Sequence, residues 1–329
     1  MNEVSFVTDL EQCRLIWNNL IKAKNISDLW EFRYCFQRHF NTKTSFLVRK
    51  DRRGITGMLP LSYLEEEGIF VFFPGETWNG KTWMERTPIF IRDGERLDDL
   101  VRVCPEGTHL RYMEHPSPAL NPSLVVDEIG YVLYPGTFDF DVAHYAKRFS
   151  AKKFKNLKKI VQSLTAEQSS FHINRLEDFD VLVDMSLQRF EEGSYLFDSR
   201  FRESFRDVMD FLKRKGWLHM VSLEIKGQTA AIDLGAIFND TYTVFLGGTH
   251  SEFPGIAKAM NMYHVEFACI NKFRKIDFLC GDFHWKKLWH LDPEPLYHYV
   301  SPKWVTEAAI ERPLRHAAWH SYGVSALHA

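Results

Sequence analysis

The stretch DFLCGDFHWKKLWH, Asp277 to His290, sets Asp282, His284, Trp285, Lys286 and Trp289 directly behind a short apolar run that ends at Gly281. Carboxylate, imidazole and ammonium groups in so little chain suit acid–base work on a bound substrate. Asp282 and His284 would move a proton, Lys286 would hold an acidic group or a developing oxyanion, and Trp285 and Trp289 would wall a cleft. The structural alternative is a strand reaching its carboxyl end, with its indoles packed in a core. Both hold if the strand ends at the rim of a cleft. A further carboxylate, Asp233, lies inside the apolar run TAAIDLGAIF. Burying it without a partner is costly, so it contacts a polar group of a bound substrate, points outward or forms a salt bridge.

A second candidate segment is GGTHSEFPGIAKAM. Gly247 and Gly248 allow backbone to approach a ligand closely, and Pro254–Gly255 start a helix at Ile256 and Ala257 whose first N–H groups attract phosphate or carboxylate. The plain alternative is a loop and a helix start. His250 binds a phosphate, shuttles a proton, or is an exposed loop histidine. No serine nucleophile elbow and no Cys–His pairing is evident, so no covalent enzyme intermediate is expected. His284 and His290 lack the HExxH spacing and no cysteine pair completes a tetrahedron, so no metal is expected.

These residues need elements to hold them. The 329-residue chain is long enough for two domains with real cores. Its five cysteines, without a CxxC pair, fit buried thiols in a reducing compartment, the cytoplasm. Neither a signal-peptide pattern nor an apolar run long enough to cross a bilayer is present. The net charge of -2 gives no reason to expect a generic DNA binder.

Helical patterns cover 8–23 and 29–40, followed by strand-like TSFLVRK, ITGMLPLSYL and GIFVFFPG. The prolines of HPSPALNPS mark a connection. KRFSAKKFKNLKK then opens an amphipathic helix: Phe154, Leu157, Val161 and Leu164 recur at helical spacing, with Lys152, Lys155 and Lys159 on another face. That basic face grips an anionic partner or is simply solvated. A helix from about Ser199 to Lys215, capped by Asp198 or Ser199 and ended by Gly216, precedes three strands and then a third helix through IAKAMNMYHVEFACINKF, whose His264 lies among apolar residues. The order helix, three strands, helix, strand is a mixed α/β layer. It lacks GxGxxG and GxxxxGK[ST], which argues against NAD and ATP. At an offset of 173, Val48, Gly54, Thr56, Phe72 and Gly75 fall on Val221, Gly227, Thr229, Phe245 and Gly248, which favours a duplicated unit.

FSAKKFKNLKKIVQSL, RFEEGSYLFDSRFRESF and the run from GQTAAIDLG to HWKKLWH resemble the GNAT acyltransferase superfamily, in its FemAB-like and CelD-like (cellulose-biosynthesis) branch. The resemblance covers roughly residues 140–300. It implies an α/β fold with tandem GNAT-like domains and mixed central sheets. Residues 1–140 would be a degenerate copy, 141–300 the domain with the active site, and 301–329 a C-terminal extension. It further implies N-acyl transfer from acetyl-CoA or another acyl-CoA, as cosubstrate with no tightly bound cofactor, to an amine of a small metabolite, peptide or cell-envelope precursor. The superfamily's signature for CoA is Arg or Gln, two residues, Gly, one residue, Gly or Ala. Here Gly255 and Ala257 match it, while Glu252 stands in the first position. Aminoacyl-tRNA as donor, or a non-catalytic module binding an anionic partner, are the alternatives the resemblance leaves. The helical hairpin arm of many Fem proteins has no evident counterpart, which lowers the tRNA reading.

Overall fold

The computed structural model describes residues 3–114, 124–166 and 168–301. The expected connection HPSPALNPS lies outside the described residues, as does the expected extension beyond Ser301. The chain divides into two compact units. The first takes the chain up to Gly130, Cys280–Leu288 and the segment from Pro293; the second takes Tyr131–Leu279 and Trp289–Asp292.

The first unit opens with β1 (Glu3–Val7), α1 (Leu10–Leu20) and α2 (Trp30–Phe40), then β2 (Lys43–Thr44), β3 (Phe46–Asp51), β4 (Gly54–Leu59), β5 (Leu61–Leu64) and β6 (Ile69–Phe72). It continues through β7 (Thr77–Trp78), β8 (Lys81–Thr82), β9 (Phe90–Ile91), α3 (Leu97–Val101) and β10 (His109–Met113). The expected run ITGMLPLSYL becomes two strands because Pro60 has no N–H for a ladder. β4 therefore joins the sheet β1-β3-β4-β9, and β5 joins β2-β5-β6. Trp17, Trp30, Phe46 and Phe73 fill the core beside them, with the Trp30 and Phe73 rings stacked at 4.9 Å. The guanidinium of Arg33, wholly buried, donates to the carbonyls of Ser27 and Phe73.

β11 (Val125–Leu133) leads into the second unit, which contains α4 (Val142–Ala146), α5 (Ala151–Thr165), β12 (Ser169–Ile173), α6 (Asp178–Phe190) and α7 (Ser199–Lys215). Then follow β13 (Leu218–Ile225), β14 (Gln228–Phe238), β15 (Thr241–Thr249), α8 (Ala257–Ile270) and β16 (Lys275–Cys280). After it the chain forms α9 (His284–Leu288) and β17 (Asp292–Val300), whose part beyond Asp292 pairs antiparallel with β10 in the first unit.

α7 begins where Asp198 accepts from the Arg200 N–H and stops at Gly216, whose φ of 71° is left-handed. Its stripe of Phe201, Phe205, Val208 and Leu212 is fully buried, a contribution of roughly 1.5–3 kcal/mol per side chain. β13, β14 and β15 form an antiparallel meander. Its two tight turns fall at Lys226–Gly227 and Asn239–Asp240, all four at positive φ as primed hairpin turns require. The sheet runs β16-β15-β14-β13-β12, and β16 returns parallel to β15 after the α8 crossover.

Candidate active site

β15 and β16 share a ladder only from Thr241–Thr243 to Lys275–Asp277. The divergence has a local cause. Opposite β14, Leu246 pairs with Leu234 and Val244 with Gly235, so Phe245 is an extra residue, and a bulge bends β15 where the ladder stops. On the other strand, Leu279 adopts a φ of 56°, unusual for a branched side chain, and its N–H is held by the Asp277 carboxylate at 3.0 Å. From Val244 on, β15 thus shows no ladder partner on its β16 side among the described residues. β15 and β16 are parallel and diverge at their carboxyl ends, the end of the strands where ligands of α/β sheets bind.

Asp233 is directly opposite Gly247 in the β14–β15 pairing. A Cβ on Gly247 would lie 2.3 Å from Asp233 Oδ1, so the glycine is what gives the carboxylate its room. The other oxygen, Oδ2, is 2.7 Å from His264 Nε2, and His264 Nδ1 is 3.0 Å from the Tyr242 hydroxyl. The imidazole is 1% exposed, the Asp233 side chain 16%. This line of groups therefore opens toward solvent at its carboxylate end.

Proton positions follow from the chemistry. A carboxylate only accepts, so Nε2 carries hydrogen toward Asp233. Burial, followed by the nearby Asp233 charge and Tyr263, raises the Tyr242 phenol well above its ordinary value. Tyr242 keeps its proton and is placed to donate it to Nδ1 of His264. Beside them His219 stacks on Phe267 at 4.1 Å and shares a hydrogen bond of 3.1 Å with the Tyr263 hydroxyl. Burial, reinforced by His264, lowers its pKa to about 4.

A pH dependence follows with a definite sign. The unfolded chain takes up a proton on His219 near pH 6.5 while the folded one does so only near 4, so stability is lost as pH falls through that window. Thermal melts of the intact chain should show a loss of up to roughly 3 kcal/mol between these limits, much reduced in His219→Gln. An unchanged slope in that variant would assign the acid sensitivity elsewhere.

The other residues expected at the site are placed as follows. Gly248 faces α6: a Cβ there would meet Leu182 Cδ1 at 2.8 Å, so this glycine serves helix packing. His250 lies on the loop with Nδ1 accepting the Glu252 N–H at 3.3 Å, and Glu252 accepts from Gln228. Gly255 turns the chain at φ 83° into α8, and Ile256 is buried. The N–H groups of Ile256, Lys258 and Ala259 are bonded to Phe253, Gly255 and Ile256 carbonyls, leaving Ala257 exposed at the head of the helix.

Asp282, His284, Trp285 and Lys286 belong to the first unit, apart from Asp233 and Gly247. Asp282 pairs with Lys287, not Lys286, at 2.8 Å, and His284 is exposed at the start of α9. Lys286 is buried and donates to the Cys280 carbonyl at 2.8 Å, with its ammonium beside the Phe283 and Trp285 rings. Trp289 is in the second unit, buried, with its carbonyl accepting from Tyr145. Lys152, Lys155 and Lys159 are exposed on α5.

Burial pushes the Cys269 thiol to about 11 and holds the Cys280 thiol well above its ordinary value. Neither is a nucleophile near neutrality. Among the described residues no cluster of three or more His, Cys, Asp or Glu is arranged to hold a metal, and no helix is long and apolar enough to cross a membrane.

Residues 151–287 match the acetyltransferase (GNAT) domain family. That segment is similar to a domain family of acyltransferases, and acyl transfer is the enzymatic activity that the match supports. The coarse fold expected from sequence, α/β with a mixed central sheet, is the one observed. No curated protein matches the chain. Among solved structures, FemX is similar at 8% identity, with a TM-score of 0.56 over 92% of this chain and 98% of that one. L-PGS from Bacillus licheniformis is similar at 12% identity and 0.55, over 97% and 98%. A tandem GNAT protein from the clavulanic acid biosynthesis pathway is similar at 10% identity and 0.53, over 91% and 98%. Such identities speak for fold alone.

His264 and Tyr242 are the residues that sequence reasoning missed. The sequence sets His264 among the apolar residues of its helix, where it reads as packing. The usable signal was joint: an aspartate in an apolar strand and a histidine in an apolar helix each need a partner, and each supplies the other's.

Proposed function

We propose that the GNAT domain transfers an acyl group from acyl-CoA to an amine by direct attack, with Asp233 as general base. The observation that carries this reading is the Asp233 carboxylate, fixed through Oδ2 by His264 and open through Oδ1 above Gly247. The amine nitrogen attacks the thioester carbonyl and a tetrahedral intermediate forms. Expulsion of the CoA sulfur as thiolate then yields the amide, while the nitrogen's proton passes to Asp233. Backbone N–H groups of β15 beyond Thr243 are the donors for the carbonyl oxygen. His264 does not react; it orients the carboxylate and keeps Oδ1 turned to the acceptor.

The thioester arm would lie between the diverging β15 and β16, and the pyrophosphate at the head of α8. Glu252 adds negative charge near that place, but its side chain is 70% exposed and held by Gln228, while Lys258 has its ammonium beside Gly255. The finer reading of a tandem protein rests on the offset similarity: the β3–β4 and β13–β14 hairpins turn at Gly54 and Gly227, both at positive φ. The first unit would be the degenerate copy.

Calorimetric titration with acetyl-CoA and longer acyl-CoAs tests the donor. Saturable binding is expected. Ala257→Glu should weaken it at least about tenfold, since the new carboxylate suits the helix terminus but repels pyrophosphate. No heat with any acyl-CoA would overturn this reading and move aminoacyl-tRNA to the front.

A further inference from the structure

A groove of about 590 Å³ lies elsewhere on the second unit and contains neither Asp233 nor His264. Its floor is Phe149, Phe154 and three alanines, and its rim is Lys147, Lys155, Lys158 and Lys159. Lys152 and Lys153 are exposed on the same helix, α5. None of these six lysines forms an ion pair among the described residues. Lys158 lies 5.4 Å from the Phe154 ring, and the carboxylate it senses is Glu266 of α8.

That neighbour extends the surface. Glu266 and Ile270 are four residues apart on α8 and so share a face, one turn from each other. Ile270 is 79% exposed. α5 itself has no fully buried side chain among its described residues, although Val161 and Leu164 pack against Ala259, Met260 and their neighbours. An isolated isoleucine on a surface is ordinary. One set beside an apolar groove ringed by lysines is the composition of an interfacial surface, where ammonium groups meet phosphates and apolar atoms enter the headgroup boundary.

We propose that this face, the groove of α4 and α5 with Ile270, docks the domain on an anionic phospholipid bilayer. Phosphate headgroups take up the lysines, and the Phe149–Phe154 floor and Ile270 meet the acyl boundary. Single-stranded nucleic acid is the rival for a basic, aromatic groove, and three features disfavour it. The cations are lysines, strongly hydrated point charges; the one arginine nearby, Arg148, is tied to Thr137 at 2.7 Å. The phenylalanine rings are already engaged with other rings: Phe149 meets Tyr145 and His290 edge-on and Phe154 at 48°. Apart from lysine, Gln162 is the lining side chain able to read a base edge.

This inference stands apart from the acyl-transfer reading, so its test needs no substrate. The full chain is sedimented with phosphatidylcholine vesicles, with and without phosphatidylglycerol. Binding is expected only with the anionic lipid and is weakened by added salt. Lys155→Gln/Lys158→Gln/Lys159→Gln should reduce partitioning about a hundredfold, each lysine near such a surface being worth roughly fivefold. Ile270→Ser, with every charge kept, should reduce it about tenfold. All four positions are exposed, and unchanged melting temperatures verify the fold. Equal binding to both vesicle types, binding to neither, or tighter binding to single-stranded RNA at the same salt would overturn the proposal. So would anionic-vesicle binding that the lysine substitutions leave intact.

Discussion

Gly247→Ala is expected to lower kcat about a hundredfold, measured as the initial rate of thiol release from acyl-CoA with an amine acceptor. The added methyl would sit 2.3 Å from Asp233 Oδ1, a separation no real contact tolerates. Gly247 is exposed and its φ is not left-handed, so the backbone accepts alanine and stability should fall by no more than about 1 kcal/mol, the worth of one hydrogen bond. The carboxylate must yield instead, by rotating away from His264 or by turning Oδ1 from the acceptor. Asp233→Asn should cost about a thousandfold, within the range for removing a general base. The telling result is the double variant. If the glycine acts through the carboxylate, Gly247→Ala adds nothing once Asp233 is Asn, because residues that work as one unit are not additive. Losses that multiply would show that Gly247 acts by a route other than the carboxylate.

How far the sequence reveals this molecule depends on whether a feature is local. α7 can be read to the residue because Asp198, the phenylalanine stripe and Gly216 encode start, face and stop within the segment itself. The β13–β15 meander is equally open, since its turns carry their own signals in Lys226–Gly227 and Asn239–Asp240. The Asp277–His290 stretch shows the limit. Its composition announces a site, yet the chain passes between units within it, and Lys286 spends its ammonium on the carbonyl of Cys280. Local density of polar groups says nothing about which way each will face. Asp233 was legible as an anomaly, but its meaning depends on a residue 31 positions away on α8, a relation that only the packing of α8 on the sheet supplies.

That dependence makes His264 the second residue to alter. His264→Ala removes a buried ring and leaves both the Tyr242 hydroxyl and Asp233 Oδ2 without the group each now bonds. Cavity and lost hydrogen bonds together should cost about 3 kcal/mol and lower the melting temperature by about 6–12 °C for a unit of this size, read by calorimetry. Loss of stability alone would not distinguish a positioning residue from a filler. His264→Gln/Tyr242→Phe does: the glutamine amide can still donate toward Asp233, and removal of the phenol oxygen leaves no orphaned hydroxyl. This pair should recover most of the stability and a good part of kcat. In His264→Leu, by contrast, Asp233 loses the donor that fixes its Oδ2. kcat should then fall about tenfold while KM for the amine hardly moves. A histidine that only fills space would leave kcat in place however far the melting temperature fell, so the split between kcat and KM decides whether the imidazole positions the base.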